Sequence, residues 1–178
     1  MARVFSAIDI ENEKALQRLE HIQEKLNLGF RKTPTEKMHI TLEFFKDVNE
    51  QEIEELKKAV QNIDHRPFKA TVNDIGAFPS EDYIRVVWAG LKAHQIFELR
   101  KQASTHSVTS HERNSYTPHI TLLRVDNITP RKKKKLKKSM HSYRDTDITE
   151  FKVDKVKLFE SRMTGNGTRY RELEVKNL

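Results

Sequence analysis

The tetrapeptide His39-Ile40-Thr41-Leu42 recurs as His119-Ile120-Thr121-Leu122, shifted by 80 positions in a chain of 178 residues. With 8 His and 13 Thr, chance alone gives about 0.6 His-x-Thr matches, so one copy means little. Two copies in one register mean more, because their surroundings repeat as well. Without a gap, Leu56-Lys57-Lys58 matches Leu136-Lys137-Lys138, and the helix-capping residues Asn49 and Thr129 align. A repeat of this kind predicts two related lobes, each presenting one HITL strand.

Working outward, residues 3–10 (RVFSAIDI) read as a strand, and Asp9 and Asn12 are candidate caps for the next segment. There Ala15, Leu16, Leu19, Ile22 and Leu26 recur at helical spacing, Gly29 closes that helix, and a loop with Pro34 comes after it. In MHITLEFF (38–45), alternation puts Met38, Ile40, Leu42 and Phe44 on one face and His39, Thr41, Glu43 and Phe45 on the other. A helix with Ile53, Leu56, Val60 and Ile63 inward comes next, then strands at 68–78 and 84–91 around a turn at Pro79–Asp82. The second round runs through a helix at 93–108, a strand at 119–125 and a helix from Thr129-Pro130 to about 141. Strands at 148–160 and 169–175 end it, around a turn with Gly165, Asn166 and Gly167. No Gly-, Ser- or Pro-rich linker separates the rounds, so residues 1–178 are expected to act as one bilobal domain.

Composition narrows the chemistry. Without Cys there is no disulfide framework, zinc–thiolate site or cysteine nucleophile. GxSxG and P-loop sequences are absent, and 5 Gly supply no dinucleotide fingerprint. No apolar run approaches 18 residues and no signal-peptide stretch opens the chain, so a soluble cytoplasmic protein without a membrane partner is expected. The formal charge of +7 favours anionic partners, nucleic acid first. Part of that charge lies in Arg131–Lys138 (RKKKKLKK), which reads as a solvated helix face with Leu136 and Met140 inward, or as a rail for a phosphate backbone.

Side chains two apart on a strand share a face, about 6.5–7 Å apart. His39 and Thr41 therefore point the same way, as do His119 and Thr121. If the lobes face each other, two imidazoles and two hydroxyls meet in one cleft, an arrangement suited to displacement at phosphorus. One imidazole takes a proton from the attacking oxygen, the other protonates the leaving oxygen, and the hydroxyls donate to the non-bridging oxygens. Arg124 is a candidate phosphate clamp, although parity puts it opposite His119 unless the strand bulges or ends there. Core packing is expected for Phe44 and Phe45, with base stacking the other role for one of them, and a structural role for Tyr116. The remaining histidines (His21, His65, His94, His106, His111 and His141) read as surface residues. A metal would need a third ligand, and Glu43 is the only nearby carboxylate on the same face; no metal or cofactor is expected.

The paired motifs resemble the 2H phosphoesterase superfamily, and more closely its bacterial and archaeal RNA 2′,3′-cyclic phosphodiesterases, historically called 2′-5′ RNA ligases. The resemblance runs through RVFSAIDI, MHITLEFF, GAFPS with RVVWAGL, YTPHITLLR and LFESRMTGNGTRYREL. It implies an α+β fold, with two pseudo-symmetric lobes whose antiparallel sheets surround a central cleft. It also implies metal-independent opening of RNA 2′,3′-cyclic phosphate ends to 2′-phosphates by a monomer. His119 would be the general base and His39 the general acid, with Thr41, Thr121 and Arg124 on the phosphate oxygens. The same site would join a cyclic phosphate to a 5′-hydroxyl as a 2′-5′ bond. The competing readings are an RNA- or nucleotide-binding module without turnover, and a cyclic phosphodiesterase for small nucleotides.

Overall fold

Three helices begin where a side-chain oxygen satisfies a backbone N–H that has no partner within the helix. In a computed structural model, which describes residues 1–104, 116–165 and 167–178, Asn12 accepts from Ala15 N at 2.9 Å, Asn49 from Glu52 N at 3.0 Å and Thr129 from Lys132 N at 3.3 Å. Glu52 returns a bond to Asn49 N at 2.7 Å, completing a capping box. The elements are β1 (Ala2–Asp9), α1 (Glu13–Leu26), β2 (Arg31–Lys32), a 3-10 turn (Thr35–Lys37), β3 (His39–Val48), α2 (Glu50–Gln61), β4 (Phe68–Pro79) and β5 (Ile84–Lys92). Then come α3 (Gln95–Gln102), β6 (His119–Arg124), α4 (Pro130–His141), β7 (Asp147–Val153), β8 (Lys155–Thr164) and β9 (Gly167–Asn177). The helix expected over 93–108 ends at Gln102, and its last residues, 105–108, lie outside the described residues, as does Asn166 of the hairpin turn.

The strands form one antiparallel sheet in the order β7-β4-β5-β6-β3-β1-β8-β9, with β2 alongside β6. The fold is α+β, and the sheets expected of two lobes are two halves of this one sheet. The single strand expected over 148–160 is two strands. Only Asp154 separates β7, at one edge, from β8, one place in from the other edge. One residue spans at most about 3.6 Å, so the sheet curls into a half-barrel that brings its far parts together.

α2 and α3 lie over β3, β8 and β9, whereas α1 and α4 lie over β4, β6 and β7. Their apolar stripes, such as Leu19 and Ile22, Leu56 and Val60, and Leu136 and Met140, enter one core with Ile40, Leu42, Ile120 and Leu122. All four helices thus cover the face that Ile40 and Ile120 point into. The face of His39 and His119 carries no helix among the described residues.

Both HITL strands are bulged at the same place. Ser6 pairs with Glu43 but Ala7 with Thr41, leaving Leu42 as the extra residue; Val87 pairs with Leu123 but Trp88 with Thr121, leaving Leu122. Each bulge inverts the parity beyond it. Glu43 and Phe45 turn inward, against the expected alternation, and Phe44 turns to the face of His39, where it stacks on Phe5 at 6.2 Å. In the second copy, Leu122, Leu123 and Val125 are all buried, and Arg124 turns to the face of His119.

Different partners hold the two bulges. The Leu122 carbonyl accepts from Thr33 N at 2.9 Å and from the buried Gln23 Nε2 at 2.7 Å, and Gln23 Nε2 also donates to Thr33 O at 2.8 Å. The Thr41 carbonyl accepts from the Tyr116 hydroxyl at 2.8 Å, whose ring lies under Arg100 at 4.4 Å. Tyr116 therefore has the structural role expected of it. Gln23→Leu would leave the Thr33 carbonyl short of a donor and weaken the second bulge. Urea denaturation should show a loss of about 1–3 kcal/mol.

Candidate active site

β3 and β6 meet at one pair, Ile40 opposite Ile120. In an antiparallel ladder this places His39 opposite Thr121 and Thr41 opposite His119. Beyond that pair β3 continues beside β1, and β6 runs beside β5 with β2 at its end. The four polar side chains therefore share the helix-free face. By strand spacing the two histidine Cα atoms stand roughly 8 Å apart, diagonally across the seam.

The two rings are anchored alike. His39 Nδ1 donates to the Lys37 carbonyl at 2.8 Å, and His119 Nδ1 to the Thr117 carbonyl at 2.8 Å. A carbonyl only accepts, so each Nδ1 carries the proton and each neutral ring keeps its lone pair on Nε2. The Thr41 hydroxyl donates to His39 Nε2 at 3.1 Å.

The walls differ. His39 packs on Phe5 at 5.2 Å and on the edge of Tyr170 at 5.6 Å. His119 meets Phe78 edge-on at 4.9 Å, with Trp88 at 6.3 Å. Trp88 lies flat over Gly76, where an added Cβ would fall 2.3 Å from Trp88 Cζ2. Burial holds His39 below the ordinary imidazole pKa; the Lys37 carbonyl and the Asp9 carboxylate oppose this, and the Arg124 charge adds to it. Asp9 stands opposite His39 in the β1–β3 ladder and is paired with Lys157 at 2.9 Å. Burial raises the Tyr170 phenol, and Arg124 works against that as well. Arg124 thus acts electrostatically on the His39 side of the cleft, although it belongs to the other HITL strand.

The structure therefore brings His39, Thr41, His119, Thr121 and Arg124 to one face. Glu43, expected there as the nearby carboxylate, points instead to α3 and is bonded by Arg100 at 2.8 and 2.9 Å. Among the described residues no three His, Asp or Glu side chains are grouped to hold a metal. His21, His94 and His141 are exposed; His65 is half-buried, against Phe68 and Glu98; His106 and His111 lie outside the described residues. The sequence reading gave no site role to Tyr170, Phe78 or Trp88, although period-2 alternation across Gly76 and Phe78 was a usable signal. It also missed Arg31. β2 has two residues and leaves no periodic trace, yet it sets Arg31 directly opposite Arg124, exposed and on the same face.

The geometry has counterparts. The LigT-like phosphoesterase family model matches residues 8–88 and 92–170, one block around each HITL strand. The RNA 2′,3′-cyclic phosphodiesterase of Methanocaldococcus jannaschii is 33% identical over 171 residues, covering 94% of this chain and 96% of the relative. That of Thermotoga maritima is 33% identical over 180 residues, covering 96% and 92%. In fold, the TT0787 protein of Thermus thermophilus superposes with a TM-score of 0.80 at 22% identity, covering 99% of this chain and 97% of that one. LigT from E. coli complexed with 3′-AMP superposes with 0.74 at 23% identity, covering 99% and 98%.

Trp88 is the only tryptophan, so its seat can be read directly. Gly76→Ala should lift the indole from its place, change its fluorescence and near-UV circular dichroism, and destabilise the fold by about 1–3 kcal/mol.

Proposed function

The chain belongs to the LigT-like phosphoesterase family, and on that premise we propose that it hydrolyses RNA 2′,3′-cyclic phosphate ends to 2′-phosphates without a metal. The observation that carries this is the Ile40–Ile120 pair, which sets two imidazoles and two hydroxyls on one open face, to which the bulge in β6 turns the Arg124 guanidinium. The relatives' names supply the substrate class.

In this reading His119 Nε2 takes a proton from water as the water oxygen bonds to phosphorus. The P–O3′ bond breaks on the opposite side, and His39 Nε2–H gives its proton to the departing O3′. Thr41, Thr121 and Arg124 hold the non-bridging oxygens, where charge builds up. Thr41 gives up its bond to His39 Nε2 and donates to a phosphate oxygen instead. With an RNA 5′-hydroxyl in place of water, the same steps form a 2′-5′ bond. The working unit is one chain, residues 1–178, because both HITL strands come from it; a cytoplasmic setting belongs to the same reading. No helix among the described residues is long and apolar enough to cross a membrane.

A general acid must hold its proton, yet burial and Arg124 favour neutral His39 in the free protein. The anionic cyclic phosphate pushes the other way, since a negative charge beside the ring favours imidazolium. The direction is fixed: His39 protonates at higher pH in the complex than in the free enzyme. The pH profile of kcat should therefore place the His39 limb higher than the profile of kcat/KM does. Coincident limbs would remove His39 as the group next to the phosphate.

The decisive assay uses an RNA oligonucleotide with a 2′,3′-cyclic phosphate end, in EDTA, with the product identified as 2′- or 3′-phosphate. The 2′-phosphate is expected, with His39→Ala and His119→Ala each slowing turnover by about 10²–10⁴-fold. Turnover retained in both variants would overturn the site. Tight binding without turnover would make the protein a binding module.

A further inference from the structure

The duplicated fold contains its own control for the lysine run. α2 and α4 occupy equivalent places in the repeat, and their burial patterns agree almost residue for residue. Leu56 and Val60 in α2 enter the core as Leu136 and Met140 do in α4. The outward positions differ: α2 carries Gln51, Glu54, Glu55 and Lys58 where α4 carries Arg131, Lys134, Lys135 and Lys138. A merely solvated face would be served equally well by the mixed charges of α2.

The α4 arrangement works against its own helix. Like charges three and four residues apart repel. The first turn holds Arg131, Lys132 and Lys133 with no acidic residue, although a helix N-terminus favours anions. Three of the lysines are used internally. Lys132 Nζ donates to Leu28 O at 2.7 Å, Lys133 Nζ to Asp82 O at 3.1 Å, and Lys137 pairs with Asp82 at 3.0 Å. Arg131, Lys134, Lys135 and Lys138 are all exposed, at the i, i+3, i+4, i+7 spacing of one helical stripe, and none has a carboxylate partner among the described residues.

The stripe is linked to the cleft. Arg31 faces the same way as Arg124 beside it, and the loop leading into β2 is tied to the start of α4 by the Lys132–Leu28 bond. Resting on the proposed RNA phosphodiesterase reading, we infer that the strand upstream of the cyclic phosphate leaves the cleft past Arg31, rounds the rim of the sheet and lays its phosphates along Arg131, Lys134, Lys135 and Lys138. The ligand class is RNA long enough to reach both places. Sheet and helix together separate cleft from stripe by about 20 Å. At roughly 3.4 Å per stacked nucleotide, a strand that rounds the rim needs more than about six nucleotides to join the two.

The test compares the parent chain with the variant Arg131→Gln/Lys134→Gln/Lys135→Gln/Lys138→Gln, and with a second variant, Arg131→Gln/Lys134→Glu/Lys135→Glu, which copies α2. The probes are a cyclic mononucleotide, a dinucleotide and a single-stranded RNA of about 20 nucleotides, which exceeds the bridging length. Turnover of the two short substrates should stay within about twofold in both variants, which also shows that they fold. KM for the long RNA should rise about tenfold or more near 0.1 M salt, with kcat unchanged. The slope of log affinity against log salt, measured on the same RNA ending in 2′-phosphate, should flatten by about 2–3 in the four-glutamine variant. Unchanged KM and slope on long RNA would overturn the inference. So would loss of binding to phosphatidylserine vesicles with RNA binding intact, which would make the stripe a membrane surface. If the parent hydrolyses no cyclic phosphate, the catalytic reading fails instead, while binding of the 2′-phosphate RNA still tests the stripe.

Discussion

One backbone pair, Ile40 with Ile120, carries the geometry of the site. Both side chains are fully buried, and theirs is the only described pairing between β3 and β6. A strand alternates its faces with period two, so a slip of one residue on either side would turn His39 and Thr41, or His119 and Thr121, into the core. A seam this short cannot hold its register by its own hydrogen bonds. The register is fixed from both flanks: β1 pairs along nearly all of β3, β5 along nearly all of β6, and the four helices cover the apolar face. The brevity of the seam also serves the site. Beyond the pair each strand follows its own neighbours, which leaves an open face where a longer ladder would have made a flat one.

The paired bulges place the rest. Without them the residue two beyond each HITL motif would point into the core, and neither Phe44 nor Arg124 would reach the cleft. One device thus delivers an aromatic ring in the first copy and a guanidinium in the second. Its supports have diverged more than the device has, with Tyr116 bonding one bulge and Gln23 the other. A buried carbonyl needs a donor, but the donor can come from any element in reach.

This explains which features were legible in the sequence. Helices, caps, the duplication and the shared face of His39 and Thr41 are local or periodic, and each leaves a trace in residue spacing. The bulges break periodicity at one residue, and strict alternation therefore misplaced Glu43, Phe44 and Phe45. The adjacent buried pair Leu122-Leu123 is the trace they leave, since one strand face cannot take two neighbours. Arg31 was out of reach because a two-residue strand has no period. The break at Asp154 was hidden because β7 and β8 are both regular strands, and only their partners, β4 and β1, set them apart.

A duplicated site starts with two equivalent histidines, whereas acid–base chemistry needs two unequal ones. The structure breaks the symmetry opposite each ring. Asp9 stands across the ladder from His39, and Gly90 stands across from His119. A carboxylate favours the imidazolium form. Arg124 opposes Asp9 while the cleft holds no anion, and burial keeps His39 neutral. A bound phosphate monoanion offsets the guanidinium, so that Asp9 and the Lys37 carbonyl, both of which favour the charged ring, are opposed by burial alone. In the proposed mechanism the charge of the substrate thus favours the protonated form of the ring assigned as proton donor.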